Sequence, residues 1–153
     1  MKKIAKNKGF TLIEILVVIG IIAVLAAIVI IAINPARQFA QARNSQRVSN
    51  VDTILNAVGQ NLADNKGIFT CAGIGTAIGT PTSSTTIGTT GGMSNLGSCL
   101  VPTYIPSSIP TDPTNGTDAD TKYEISVNTN GRYMVCAKNT EAALGNPSIC
   151  VTR

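Results

Sequence analysis

Apolar positions crowd into one stretch of this chain and thin out elsewhere. From Phe10 to Ile33, a window of 24 residues, 17 are Ile, Val, Leu or Phe, and the rest are four Ala, one Gly, one Thr and Glu14. As a helix this run rises about 36 Å, against about 30 Å of bilayer hydrocarbon, so it is long enough to span. Beyond it, Val48, Val51, Leu55, Val58 and Leu62 recur at steps of three and four, one stripe of an amphipathic helix. Arg37, Arg43, Arg47, Asp52 and Asp64 fall on other faces, and the arginine trio is expected to be solvated. Gly67 in "NKG" offers a stop, so the pattern predicts one long helix from Phe10 to about Asn65. Pro35, preceded by Asn34, should kink or open it, and Gly20 is a second weak point.

The remainder changes character. Ala72 to Ser98 is rich in Gly, Thr and Ser without periodicity, which predicts a surface loop that buries little. "VPTYIPSSIPTDPTNG" carries four prolines and reads as extended and turn-rich. Its "NGT" triplet from Asn115 fits a glycosylation sequon, a pattern short enough to recur by chance. In "KYEISVNTNGRYMVCAKN", Tyr123, Ile125 and Val127 alternate on one strand and Tyr133, Val135 and Ala137 on the next, with "TNG" turning between them. The hairpin has one apolar partner, the Val48 to Leu62 stripe. The expected fold class is therefore α+β, a long N-terminal helix with a small antiparallel sheet on its outer half.

Charge changes this picture less than the formal +4 suggests. Lys2, Lys3, Lys6 and Lys8 all precede the apolar run, and without them eight basic groups match eight acidic ones. A nucleic-acid partner read from net charge has no support, and none is expected if the chain's role is purely structural. Seventeen large apolar residues at about −0.3 to −0.6 kcal/mol each favour insertion by roughly 5 to 10 kcal/mol, against about 3 for an off-centre carboxylate. Insertion wins despite Glu14. Four lysines before the run, and no lysine after it until Lys66, place the N-terminus in the cytoplasm and the rest outside. The run lacks a small-x-small cleavage site at its end, and the first cysteine is Cys71, so neither an ordinary signal peptide nor a lipoprotein route fits.

Glu14 needs a reason, because Leu would anchor better. A short lysine-bearing leader ending in Gly9, then "FTLIE" and a long aliphatic helix, resembles the N-terminal signal of type IV pilins and type II secretion pseudopilins. The resemblance covers Lys6 to about Ile33. It implies cleavage after Gly9 by a membrane prepilin peptidase, N-methylation of the new terminus at Phe10, and a helix that stays attached to the protein. It also implies that Glu14 meets the α-amine of a neighbouring copy's Phe10, since two charges each costly in hydrocarbon become tolerable as a pair. The family's filaments loosen the helix around breakers such as Gly20 and Pro35.

The organisation expected is a leader over 1–9, a membrane and assembly half over 10–33, an amphipathic half over 34–66, and a loop and sheet domain over 67–153. The function expected is that of a structural subunit polymerised into a type IV pilus-like filament or a type II secretion pseudopilus. Its partners would be the peptidase, identical or related subunits, the inner-membrane assembly machinery and the membrane. It would pass from the cytoplasmic membrane to a periplasmic or extracellular filament. A minor pilin acting as an adhesin or DNA-uptake module is the alternative, with the Ala72 to Ser98 loop as its contact. With no histidine, and no nucleophile near a base in sequence, an enzyme is not expected.

Cys71, Cys99, Cys136 and Cys150 form no C-x-x-C pair, and without histidine a mixed zinc site is excluded. An even count beyond a membrane segment points to two disulfides. Three pairings are possible, and sequence neighbours are expected, Cys71 with Cys99 and Cys136 with Cys150. No cofactor is expected. Asp112, Asn115, Asp118, Asp120 and Glu124 cluster in a region resembling the calcium-binding end of major type II pseudopilins, with Asp112, Asp118 and Asp120 the candidate ligands. Thr114 and Asn115 depart from that family's pattern, so an Asx/Pro turn is the favoured reading, with calcium as the alternative.

Overall fold

A single residue divides the long helix. In the computed structural model, which describes residues 9–72, 74, 78 and 83–153, α1 (Leu12–Ile33) ends at Asn34 and α2 (Pro35–Asp64) begins directly after it. Asn34 adopts a left-handed conformation, φ 48°, which Asn tolerates better than any β-branched residue would. Its carbonyl accepts from Arg37 N–H at 3.1 Å, and its side-chain oxygen accepts from the same group at 3.4 Å. Asn34 thus closes one helix and opens the next, and Pro35 sits at the first helical position, where its missing N–H costs nothing. The lysines of the leader, Lys2, Lys3, Lys6 and Lys8, lie outside the described residues.

The chain forms two compact units, Met1–Gln38 and Phe39–Arg153. In the first, α1 is continuous through Gly20 and none of its residues is buried. Among the described residues it is the one helix long and apolar enough to cross a membrane.

In the second unit, α2 packs against a four-stranded antiparallel sheet in the order β1 (Thr85–Thr86), β2 (Tyr123–Val127), β3 (Tyr133–Ala137), β4 (Ile149–Thr152). The β2–β3 hairpin pairs Tyr123 with Ala137 and Val127 with Tyr133, and Asn128 braces its tip by accepting from Asn130 N–H and Arg132 N–H. The core joins Val51, Ile54, Leu55 and Val58 of α2 to Tyr123, Ile125 and Val135 of the sheet. At its far end α2 stops as Gly67 N–H reaches back to the Leu62 carbonyl at 2.7 Å, with Gly67 at φ 87°.

Two expectations are corrected. Val51, Leu55 and Val58 of the expected stripe are buried and Leu62 packs against the core, but Val48 is 42% exposed, and the buried face continues instead through Ala40, Asn44 and Arg47, with Ile54 and Asn61 added. Those positions keep the helical step of three and four, but toward the start of α2 the stripe turns polar, so tracking apolar residues alone misses it. The Gly/Thr stretch is also not simply a surface loop. Residues 73, 75–77 and 79–82 lie outside the described ones, yet Thr85–Thr86 adds the edge strand, and Ile87, Ser94 and Leu96 are fully buried. The Pro-rich segment contributes Ile105 and Ile109 to the same core. A thin sheet and one helix leave space that only these irregular segments fill.

Candidate functional site

The N-terminal site is built by backbone geometry as much as by side chains. Gly9 and Phe10 are exposed and non-helical, and Thr11 is the N-cap of α1. Thr11 N–H donates to Glu14 Oε2 at 2.8 Å, Thr11 Oγ1–H donates to the same oxygen at 2.7 Å, and Glu14 N–H donates to Thr11 Oγ1 at 3.2 Å. This is a reciprocal capping box, satisfying two backbone donors that a helix start otherwise leaves unpaired. Its sequence signal is T-x-x-E in "TLIE", a local pattern that hydropathy alone does not pick out. Glu14 therefore has a local structural role, and the Gly9–Phe10 bond lies in accessible backbone before the cap. A peptidase that binds its substrate in extended form would meet no helix there.

The second constellation has no local sequence signal. Arg47, expected on a solvated face, is 1% exposed, and its side chain pairs with the fully buried carboxylate of Asp112 at 2.7 Å. Every guanidinium donor is used: Nε and Nη2 on Asp112, Nη2 also on Thr114 Oγ1, and Nη1 on both Asn44 Oδ1 and Glu141 Oε1. Arg43 adds a two-pronged pair to Glu141 at 2.8 and 2.7 Å, while Arg37 is exposed. Burial pushes the Asp112 carboxyl up, but hydrogen bonds from Arg47 and Thr114 N–H more than offset it and leave it below the ordinary carboxylate range. Arg43, then Arg47, hold Glu141 down at about 2. The arginines thus fasten two loops, around 112 and 141, to the start of α2. The solvated-face expectation holds for Arg37, and fails for Arg47, which is buried, and for Arg43, which is half-exposed but fixed on Glu141.

The structure joins Cys71 to Cys99, Cα atoms 5.1 Å apart, and Cys136 to Cys150, 4.1 Å apart and directly opposite in the β3–β4 ladder. The first bridge ties the segment after α2 to α3 (Gly97–Leu100), and the second staples the C-terminal strand to the hairpin. The calcium candidates are not gathered. Asp112 is committed to Arg47, Asp120 pairs with Lys122, and Asp118 is exposed. Among the described residues no group of three or more His, Cys, Asp or Glu is placed to hold a metal ion. Asp112 Oδ1 accepts from Thr114 N–H at 2.9 Å, an Asx turn.

No curated protein and no solved structure matches the chain. A family model does: residues 4–33 match the prokaryotic N-terminal methylation motif. The match spans the Gly9–Phe10 bond, Glu14 and all of α1, a structural rather than a catalytic signature, and with an apolar helix of this length it points to membrane anchoring. The chain thus carries at its N-terminus the methylation motif that is the signature of type IV pilins and pseudopilins, on a pilin-like α+β layout.

Proposed function

We propose that this chain is the precursor of a filament subunit, cleaved after Gly9, methylated at Phe10 and polymerised through α1 into a type IV pilus-like or pseudopilus filament. One observation carries the reading: the methylation motif coincides with a helix whose every residue is exposed. A long helix that is apolar on every side apart from Glu14, and uncovered throughout, must be covered by something, lipid before assembly and neighbouring helices after it. Prepilin peptidase and other pilin subunits are the partners that the motif implies. The four leader lysines hold the N-terminus in the cytoplasm, and the second unit is exported, where its disulfides persist. The function needs no cofactor.

In this reading Glu14 does two things in turn. In the single subunit its carboxylate caps α1, and in the filament it receives the α-amine of a neighbour's Phe10, fixing the axial stagger. The direct test is mass spectrometry of the N-terminus from membranes that contain the peptidase. A mature chain beginning at methylated Phe10 is expected. A chain that begins at Met1, or beyond Ile33, would remove the proposal. Copy number in a sheared filament fraction then separates a major subunit from a minor one.

A further inference from the structure

Nearly every carboxylate at one end of the second unit is matched by a base, and one is not. Arg47 holds Asp112, Arg43 and Arg47 hold Glu141, Lys122 holds Asp120, and Lys138 holds Glu124. Asp118 is exposed and its carboxylate has no partner among the described residues. It lines a cavity of about 340 Å³ beside the edge strand, whose floor includes the buried Ile87 and Leu96.

The polar part of that lining offers lone pairs. Thr89 and Ser98 each spend their hydroxyl proton on a backbone carbonyl, of Asp118 at 3.4 Å and Asn95 at 2.9 Å, while the buried Thr121 hydroxyl donates to the Ile87 carbonyl at 2.7 Å and already accepts from Tyr123 N–H at 3.3 Å. Oxygen acceptors plus a free carboxylate over an apolar floor suit a group rich in donors, positively charged, and carried on an apolar stem. A guanidinium on its three-carbon chain has that chemistry.

The complementary group is on the same chain but out of its reach. Arg132 is exposed, and its guanidinium has no partner among the described residues. Its backbone is held firmly at the hairpin tip, where Asn128 N–H donates to the Arg132 carbonyl at 2.8 Å and Asn128 Oδ1 accepts from Arg132 N–H at 2.8 Å. The tip leaves β2 at its Val127 end. Asp118 lies on the segment that enters β2 at its Tyr123 end, where Thr121 N–H donates to Ile87 at 3.0 Å. The whole of β2, on the order of 15 Å, separates them. A cavity at one end and its matching cation at the other cannot meet within one subunit. They can meet between copies, and where such a contact is head-to-tail and its rotation does not close, it repeats along a filament.

We propose that the Asp118 cavity receives Arg132 of a second copy of this chain, a contact between the exported units of successive subunits. The proposal rests on the filament reading and adds a second, water-exposed point of register to the one inside α1. Lys66 and Arg37 are exposed too, but the Lys66 ammonium has fewer donors and no planar fork to match the lining, and Arg37 belongs to the first unit with the apolar helix rather than to the exported unit.

The test uses the full chain, expressed with its peptidase and assembly machinery, and reads filament yield in the sheared fraction against subunit level in membranes. Asp118→Arg and Arg132→Asp are expected each to lower yield about tenfold at unchanged subunit level, like charges across a contact being strongly unfavourable. The doubly swapped chain is expected to return to within about twofold of wild type. Lys66→Asp is expected to assemble normally. Single variants that assemble normally, or a double variant no better than the singles, would overturn the pairing while leaving the filament reading intact. A Lys66→Asp loss as large as that of Arg132→Asp would overturn it as well, by showing that overall charge is what matters. A wild-type chain that is processed but yields no filament would remove the filament reading and this contact together.

Discussion

Glu14 and Arg47 are the two residues whose surroundings make separable predictions. Glu14→Gln keeps a side-chain acceptor for the Thr11 capping box and removes only the charge, whereas Glu14→Ala removes both. If the acid serves neighbouring subunits, both variants insert but lose filament yield, and Gln is no better than Ala. If the cap is all that matters, Gln retains yield and Ala loses the roughly 1 kcal/mol that such caps contribute. Assembly assays of the two side by side decide it. Arg47→Ala strands a buried Asp112 and half of the Glu141 network, which predicts a loss on the order of 3 to 5 kcal/mol in the second unit. Denaturant unfolding of the full chain in detergent measures this. A loss below about 1 kcal/mol would show that the cluster is dispensable.

Elements were legible where they rest on local chemistry. The Asn34–Pro35 break, the Gly67 stop and the β2–β3 alternation all come from residues that act on their own backbone. β1 and β4 were missed, because two- and four-residue strands carry too little pattern and exist only where a neighbour offers an open edge. For β4 that neighbour is also covalent. Removing the Cys136–Cys150 bridge by a double Ser substitution frees a 14-residue connection and should cost about 3 kcal/mol, lowering the melting temperature. A melting temperature unchanged from wild type would mean that strand pairing alone holds the tail. Gly116 marks another point decided by proximity. A Cβ there would fall inside contact distance of the Asp112 backbone, so Gly116→Ala should disturb the turn that presents Asp112 to Arg47.

At the scale of the whole molecule, acid is the condition that tests the second unit. Asp112 and Glu141 both have folded values below their unfolded ones, so the stability they contribute is complete above about 4.5 and drains away as pH falls, for Glu141 toward about 2. Thermal unfolding in detergent should be flat from pH 7 to about 5 and then drop between about 4.5 and 2, less steeply in Arg47→Ala. A midpoint constant down to pH 2 would refute the role given to the two arginines. The apolar run and the residues ahead of it determined, by themselves, the membrane-competent helix, the methylation motif and the acid near its start, because each depends on composition or on neighbours within four positions. The α2 stripe and the hairpin were enough for the α+β class. Only the tertiary structure decided that the buried face of α2 continues through Asn44 and Arg47 rather than Val48, that Arg47 is buried on Asp112, 65 residues away, and that Asp118 is left without a base. Burial and long-range pairing are properties of what the chain brings together in space, and no periodicity along it records them.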